Sequence, residues 1–90
     1  MTIETGVRHE GWTVYILECA DRTFYTGITT DIHRRVAEHN NGVGAKYTRG
    51  RRPVVVAYTE ASLNRSTASK REQYIKRLTR GAKLELILHN

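Results

Sequence analysis

Four side chains in this sequence are of the types that hydrolysis of a phosphodiester requires. Tyr15 and Tyr25 lie in two successive apolar runs, Arg35 follows ten residues after Tyr25, and Glu72 comes much later in the chain. A guanidinium can grip a phosphate with two donors, and one carboxylate can hold a hard divalent ion whose other ligands are phosphate and water. A tyrosine close to such charges can exchange a proton with water. These residue types are therefore candidates for a phosphodiester site.

Each candidate also has an ordinary structural explanation. Tyrosine is favoured in strands for packing alone, and Arg35 falls at the edge of an apolar helix face, where a solvated side chain is common. His39, on the same helix, could be a hydrogen-bonded core histidine. Glu72 could pair with Lys76 one helical turn later, or complete a capping box with Ser69. The residue types alone leave both explanations open.

The two tyrosines can share a site only if their strands pair in a suitable register. The runs from Trp12 to Glu18 and from Phe24 to Thr29 are rich in β-branched and aromatic residues and predict a β-hairpin. Side chains alternate between the faces of a strand, so a two-residue turn at Asp21-Arg22 would place the tyrosines on opposite faces. A shared site would therefore need an odd-count loop, such as Ala20 to Arg22, or a bulge.

The segment after the hairpin predicts a helix. The stretch from Thr29 to Asp31 offers N-cap side chains, and Ile32, Val36 and His39 repeat on one helical face. The sequence Asn40-Asn41-Gly42 is typical of a helix end. This helix would present Arg35 beside its apolar face.

The second half of the chain predicts one more strand and two helices. Val54 to Thr59 is a continuous apolar run, which is typical of a central, covered strand. A long helix is expected to begin between Ser62 and Ser69 and to end at Gly81, and Leu84 to Leu88 predicts a short closing helix. The stripe of the long helix consists of Ala68, Ile75, Leu78 and Ala82. The predicted fold is α/β (α+β): a small three-stranded sheet flanked by helices in the order β-β-α-β-α-α.

The net charge of +6 is concentrated in a few segments. The segment from Gly42 to Arg52 is a basic loop with an aromatic side chain among its cations, and further cations follow on the long helix. Such clustering is typical of a protein that binds a polyanion, and the loop could follow a phosphate backbone and stack on an unpaired base. A merely solvated loop is the alternative. The candidate nucleic-acid contacts are Lys46, Tyr47, Arg49, Arg51, Arg52 and Lys70.

Size and composition narrow the class of protein. Ninety residues allow one domain, and a single cysteine cannot form an internal disulfide, which favours a reducing cytoplasm. The first ten residues contain no apolar stretch typical of a signal peptide, and no apolar run is long enough to cross a bilayer. We expect residues 1–10 to be a disordered tail and residues 11–90 to form one domain that binds nucleic acid and no membrane.

The stretch from Val14 to Gly42 strongly resembles the N-terminal half of the GIY-YIG nuclease domain, and the resemblance extends from Gly11 to Leu88. It is greatest to small single-domain bacterial members of that superfamily. The resemblance implies hydrolysis of a phosphodiester with the help of one divalent ion, Mg²⁺ or Mn²⁺. The chain departs from the family pattern because Ile28 and Thr29 stand where many members have a lysine, and Leu84 stands where others have an asparagine.

Motif by motif, the resemblance also implies roles for individual residues. Tyr15 matches the first motif tyrosine and would act as the base, Tyr25 matches the second, and Arg35 matches the helix arginine that binds the phosphate. His39 lies one helical turn past that arginine, where several members have a histidine or tyrosine, and Glu72 matches the metal-binding glutamate. Tyr25 and His39 would orient water or phosphate. These roles place Tyr15 and Tyr25 on one face of the sheet, so we expect the odd-count loop in the hairpin.

These observations together predict a metal-dependent DNA endonuclease with low sequence specificity and a preference for DNA structure. A flap, nick, branch or single-strand end would suit a basic groove better than undistorted duplex. The alternative is a non-catalytic module that binds DNA or RNA on the same fold, and RNA cleavage or a role in protein interaction also stays open.

Overall fold

A three-stranded antiparallel sheet and four helices make up residues 11–89, the part of the chain that this computed structural model describes. The strands are β1 (Trp12–Glu18), β2 (Phe24–Thr29) and β3 (Val55–Ser62). The helices are α1 (Ile32–Asn40), α2 (Lys46–Arg49), α3 (Arg65–Lys76) and α4 (Arg80–Leu88). The predicted α+β class is confirmed. The expectation of a disordered tail lies outside the described residues.

The hairpin of β1 and β2 has the odd-count loop that a shared tyrosine site needs. The amide of Cys19 donates to the carbonyl of Thr23 at 2.9 Å, which leaves three residues, 20–22, in the loop. Arg22 adopts φ 70°, the left-handed conformation that closes such a loop. In the resulting register Leu17 is opposite Tyr25 and Tyr15 is opposite Gly27, so both tyrosines point to the same face. The prediction is confirmed.

The sheet order is β2-β1-β3, which makes β1 the central strand and β3 an edge strand. The prediction that the run from Val54 to Thr59 forms a central strand was wrong. Val54 is buried but precedes β3, and the side chains of Val55 and Val56 are 58% and 44% exposed. An apolar run shows that a strand can be covered, but not which strands lie beside it. The covered centre is β1, whose residues 14–17 are all buried.

Helices pack on both faces of the sheet, and the sheet lies between two apolar clusters. On one face Val14 and Ile16 pack with Ala68 and Ile75 of α3 and with side chains of α4. On the other face Tyr15 and its neighbours pack with the apolar side of α1. The candidate tyrosines therefore face α1, and α3 covers the opposite side of β1.

Helix α1 forms as predicted, and the loop after it contains a short helix that was not predicted. The Asp31 side chain caps α1 by accepting from the amide of Arg34 at 3.1 Å. Asn40 at its C-terminus pairs with both backbone groups of Val54, at 2.7 and 3.1 Å, which ties α1 to the start of β3. The basic segment from Gly42 to Arg52 was expected to be a loop throughout, but four of its residues, Lys46–Arg49, form α2.

The boundary between the last two helices differs from the prediction. Helix α3 ends at Lys76 and not at Gly81, because Thr79 caps α4 by accepting from the amide of Ala82 at 3.1 Å. Ala68 and Ile75 are buried as expected. Of the two alternatives for Glu72, the capping box with Ser69 does not form, since both residues lie inside α3, and the pair with Lys76 does. The observed box is formed by Asn64 and Thr67.

Candidate active site

Tyr15 lies flat across β2 at a position that only a glycine permits. A Cβ atom on Gly27, its cross-strand partner, would lie 2.5 Å from the Tyr15 hydroxyl oxygen and 2.6 Å from Cζ. Real Cβ atoms do not approach other atoms so closely, so the missing side chain is what lets the phenol reach over the strand towards α1. Gly27 therefore positions Tyr15.

A buried chain of hydrogen bonds joins Tyr15 to the loop after α1 through His39. The Tyr15 hydroxyl is 3.1 Å from His39 Nε2, and His39 Nδ1 is 2.7 Å from Thr48 Oγ1. The Thr48 hydroxyl has one hydrogen, which it donates to the carbonyl of Ala45 at 2.9 Å. Its oxygen must then accept from Nδ1–H, which leaves Nε2 as the acceptor for the Tyr15 proton. Thr48 and Ala45 therefore determine the histidine tautomer.

The loop closes tightly over the histidine ring. His39 and Thr48 are both 0% exposed, and a Cβ on Gly44 would lie 2.5 Å from His39 Nδ1. Water has no room to replace the threonine. Burial lowers the pKa of His39, and the nearby charge of Arg35 lowers it further. The imidazole is therefore neutral at pH 7 and free to accept a proton.

The Tyr15 phenol is also neutral in the free protein. Burial raises its pKa to about 12, although the Arg35 guanidinium acts in the opposite direction. Tyr25 and the Glu72 carboxylate also act to raise the pKa of Tyr15. A phenol with this pKa is a hydrogen-bond donor at pH 7, and it can accept a proton only if it passes its own proton on.

Arg35 and the carboxylate of Glu38 form an ion pair beside Tyr15. Arg35 Nη1 donates to Glu38 Oε1 at 2.8 Å, and Arg34 lies 3.8 Å from the other carboxylate oxygen. The Arg35 side chain is 31% exposed, so solvent and an incoming anion can reach it. A phosphate at this position would replace Glu38 as the partner of at least one guanidinium donor.

Glu72 is the carboxylate to which the resemblance assigns a divalent ion. It lies on α3, is 18% exposed, and pairs with Lys76 at 3.3 Å. Residues 11–89 contain no cluster of three or more His, Cys, Asp or Glu side chains that could enclose a metal. One carboxylate fits the way in which Mg²⁺ is usually held, with substrate phosphate and water as the remaining ligands.

Tyr25 links the Tyr15–His39 pair to the basic segment. The centroid of its ring lies 6.4 Å from the ring centroid of Tyr15 and 5.2 Å from that of His39. The centroid of the Tyr47 ring, with which it stacks, lies 6.0 Å away. The Arg51 guanidinium lies 3.9 Å over the Tyr47 ring, so a base that stacked on that face would have to displace it. Tyr47 therefore belongs to an internal stack in this structure and is not a free platform.

The five cations among the predicted nucleic-acid contacts fall into two groups. Arg51 and Arg52 are held by the protein itself: Arg51 pairs with Asp21 at 2.9 Å, and Arg52 donates to the carbonyls of Arg49 and Asn40. Within residues 11–89, three further side chains are exposed and make no side-chain hydrogen bond or ion pair. These are Lys46, Arg49 and Lys70.

A family model described as the GIY-YIG catalytic domain matches residues 11–85. The chain belongs to the GIY-YIG family. It is 59% identical over 70 residues to a UPF0213 protein of Halobacterium salinarum, a match that covers 78% of this chain and 91% of that protein. It is 55% identical over 74 residues to a UPF0213 protein of Clostridium perfringens, which covers 82% and 80% of the two chains.

The fold of this GIY-YIG chain also matches a solved structure. The solution NMR structure of the UPF0213 protein BH0048 from Bacillus halodurans aligns with a TM-score of 0.58 and 44% sequence identity, over 89% of this chain and 85% of that one. The GIY-YIG domain is a nuclease domain, so membership implies nuclease-type chemistry on a nucleic acid. No helix in the described part of the chain is long and apolar enough to span a membrane.

The structure brings together four of the GIY-YIG site residues predicted from sequence and adds two that were missed. Tyr15, Tyr25, Arg35 and His39 meet on the α1 face of the sheet, and Glu72 is close enough to affect Tyr15 electrostatically. The missed residues, in the loop after α1, are Gly44 and Thr48. The one sequence signal for them is the glycine content of that loop, which allows close backbone approach.

Proposed function

We propose that this chain is a metal-dependent DNA endonuclease that hydrolyses phosphodiester bonds with low sequence specificity and prefers interrupted or unpaired DNA. The observation that carries the proposal is the buried chain of Tyr15, His39 and Thr48 beside Arg35. It gives a proton removed from water a defined acceptor next to a cation that can bind a phosphate. Packing alone does not require that combination.

Proton transfer in this site runs from water through the phenol to the imidazole. As the water oxygen bonds to phosphorus, Tyr15 accepts its proton and at the same time passes the phenolic proton to His39 Nε2. The imidazolium formed keeps Nδ1–H on Thr48. The bond to the leaving oxygen breaks, and that oxygen takes a proton from solvent. No free phenolate is needed, which is consistent with the raised pKa of Tyr15.

Two charged groups serve the phosphate in this mechanism. Arg35 turns from Glu38 to the nonbridging oxygens and neutralises charge that develops during attack. A divalent ion held by Glu72 would supply further positive charge to the phosphate oxygens. Lys76, the present partner of Glu72, would be released towards the nucleic acid backbone. The Arg35–Glu38 pair holds the guanidinium near the phosphate position before substrate binds.

Low sequence specificity follows from the surface around the site. Lys46, Arg49 and Lys70 are flexible cations that suit phosphate contacts, which position DNA but do not read its sequence. The longest helix of residues 11–89 is α3, and it packs on the sheet. It is therefore not available as a recognition helix that enters a major groove. Phosphate contacts should therefore dominate affinity.

The test is cleavage of labelled duplex, single-strand, flap, nicked and branched DNA and matched RNA with Mg²⁺ or Mn²⁺. Tyr15→Phe and Glu72→Gln should lose metal-dependent cutting and retain binding. Tyr74→Phe and Glu85→Gln are matched controls at exposed positions on α3 and α4 and should cut normally. Cutting that survives in both site variants would contradict the proposed roles.

The second candidate is a binding module without catalysis. It is favoured by one observation: both Arg35 and Glu72 are already engaged in internal ion pairs, at 2.8 and 3.3 Å. Binding that falls steeply with salt, without cutting of any substrate under either metal, would select this candidate. Comparison of matched DNA and RNA in the same binding assay would identify its ligand.

A further inference from the structure

A cleft of about 250 Å³ opens along the outer edge of β2, next to the candidate active site. It lies between α2 on one side and α3 and α4 on the other. Phe24 and Tyr25, consecutive residues of β2, point to opposite faces of the sheet, so the cleft wraps around the strand edge. The lining residues are Phe24, Tyr25, Thr26, Tyr47, Lys76 and Lys83.

The side chains that line the cleft suit both the base and the phosphate of a nucleotide. Of residues 11–89, those that line it carry three aromatic rings and two ammonium groups and no carboxylate. Lys83 is half-buried, and within residues 11–89 no acidic side chain pairs with it. A partly buried ammonium without a counter-charge is stabilised by an anion, and aromatic side chains provide contacts for a planar base. A phosphate and a base joined together satisfy both conditions.

The cleft is joined to the candidate active site through two residues. Tyr25 lines the cleft, and the centroid of its ring lies 5.2 Å from the ring centroid of His39. Lys76 lines the cleft and pairs with Glu72, the proposed metal ligand. A strand whose phosphate lies at Arg35 would therefore carry a neighbouring nucleotide past this opening.

We propose that this cleft binds one unpaired nucleotide of the strand that is cut, with its phosphate on Lys83 and its base on Phe24, in the place of the Arg80 guanidinium that now lies 4.6 Å over that ring. A base inside a duplex cannot enter without leaving its stack, so the cleft selects DNA that is already unpaired beside the cut. The inference rests on the proposed function, and it explains a preference for flaps and single-strand ends. It assigns a role to Phe24 and Lys83, which the motif residues do not include.

The test is a binding experiment in which single bases are removed. Fluorescence anisotropy measures the affinity for flap DNA in EDTA, where cutting does not interfere, and an abasic site is moved along the unpaired strand one nucleotide at a time. One abasic position should weaken binding about tenfold, the effect of losing one base–aromatic contact, and the others should change it little. A matched RNA series shows whether the cleft accepts ribose.

Protein variants then locate the effect in the cleft. Lys83→Gln should bind intact DNA more weakly and have a smaller salt dependence, by about one phosphate contact. Phe24→Leu should lose the tenfold sensitivity to the abasic position. Lys70→Gln, an exposed lysine outside the cleft, is the control and should keep that sensitivity. Because Phe24 also packs against the core, its melting curve is recorded, and Lys83→Gln provides the test if Phe24→Leu does not fold.

The possible results separate this inference from the proposed function. Equal affinity for every abasic position would overturn the cleft assignment and leave the endonuclease proposal intact. So would a sensitivity that survives in Phe24→Leu, or an affinity and salt dependence of Lys83→Gln equal to those of the wild type. No binding to any nucleic acid would overturn both. Position-dependent binding without cutting under Mg²⁺ or Mn²⁺ would support the cleft and contradict catalysis.

Discussion

Replacement of Thr48 by valine tests the proton relay most directly. Valine has nearly the same shape, so the change removes one hydroxyl from a position where both Thr48 and His39 are 0% exposed. The Nδ1–H of His39 loses an acceptor at 2.7 Å, and Gly44 packs too closely to admit water in its place. Nδ1 then has no partner, whether it keeps its hydrogen or loses it in a tautomer change, and a buried polar atom left unpaired costs about 1–3 kcal/mol. We expect the free energy of unfolding to fall by that amount.

The same change should alter the chemistry of His39. Once Thr48 Oγ1 is absent, the imidazole can satisfy one nitrogen by moving its proton to Nε2, where it points at the Tyr15 hydroxyl. Nε2 then no longer accepts the phenolic proton. Because general acid–base transfer contributes about 10²–10⁴-fold to rate, we expect kcat to fall at least about 100-fold while DNA affinity stays within about twofold.

Two measurements separate this effect from simple destabilisation. The ¹⁵N shifts of the His39 ring report the tautomer directly, with Nδ1–H expected in the wild type and Nε2–H in Thr48→Val. Thr48→Ser keeps the hydroxyl and should restore both the tautomer and kcat. If Thr48→Val kept the Nδ1–H tautomer and the wild-type kcat, the tautomer argument and the relay built on it would be wrong.

Two further changes test the surroundings of Tyr15. Between pH 10 and 12 the unfolded phenol ionises while the folded one keeps its proton up to about 12, so the wild-type free energy of unfolding should fall by up to about 2–3 kcal/mol as pH rises. Urea unfolding should show a shallower fall for Tyr15→Phe, and an unchanged slope would contradict the buried neutral phenol. Gly27→Ala should displace the ring and cost about 1–3 kcal/mol together with most of the cleavage rate. Gly50→Ala is the matched control, because no atom of the described residues beyond its two chain neighbours lies within 4 Å of the added Cβ. Equal losses from both changes would refute the contact.

Several features of the site could be predicted from local sequence, because each depends on the side-chain periodicity within one hairpin or one helix. The alternation of strand side chains, combined with the shared tyrosine site that the resemblance implies, predicted the odd-count loop that puts Tyr15 and Tyr25 on one face. The four-residue spacing of Arg35 and His39 placed them one helical turn apart on α1. Local spacing was sufficient because these relations are set within a hairpin or a helix.

The position of β3 could not be predicted in the same way. Its apolar run fits either an edge or a central strand, and the position is decided by which strands pair with each other in the sheet. The end of α3 was also missed, since the cap at Thr79 competes with an apolar pattern that continues past it. Periodicity reports which face of an element is buried and carries no information on what lies beside it.

The sequence by itself determined the fold class, the pairing of the hairpin and the identity of the motif residues, because each is encoded in short-range periodicity and residue type. Tertiary structure decided that Thr48 sets the tautomer of His39, that Arg35 is paired with Glu38, and that Lys83 approaches β2 from the far end of the chain. Such contacts join segments whose separation is fixed only when the sheet and its helices pack. The protonation states on which the proposed chemistry depends follow from that packing, because burial sets the pKa values of Tyr15 and His39.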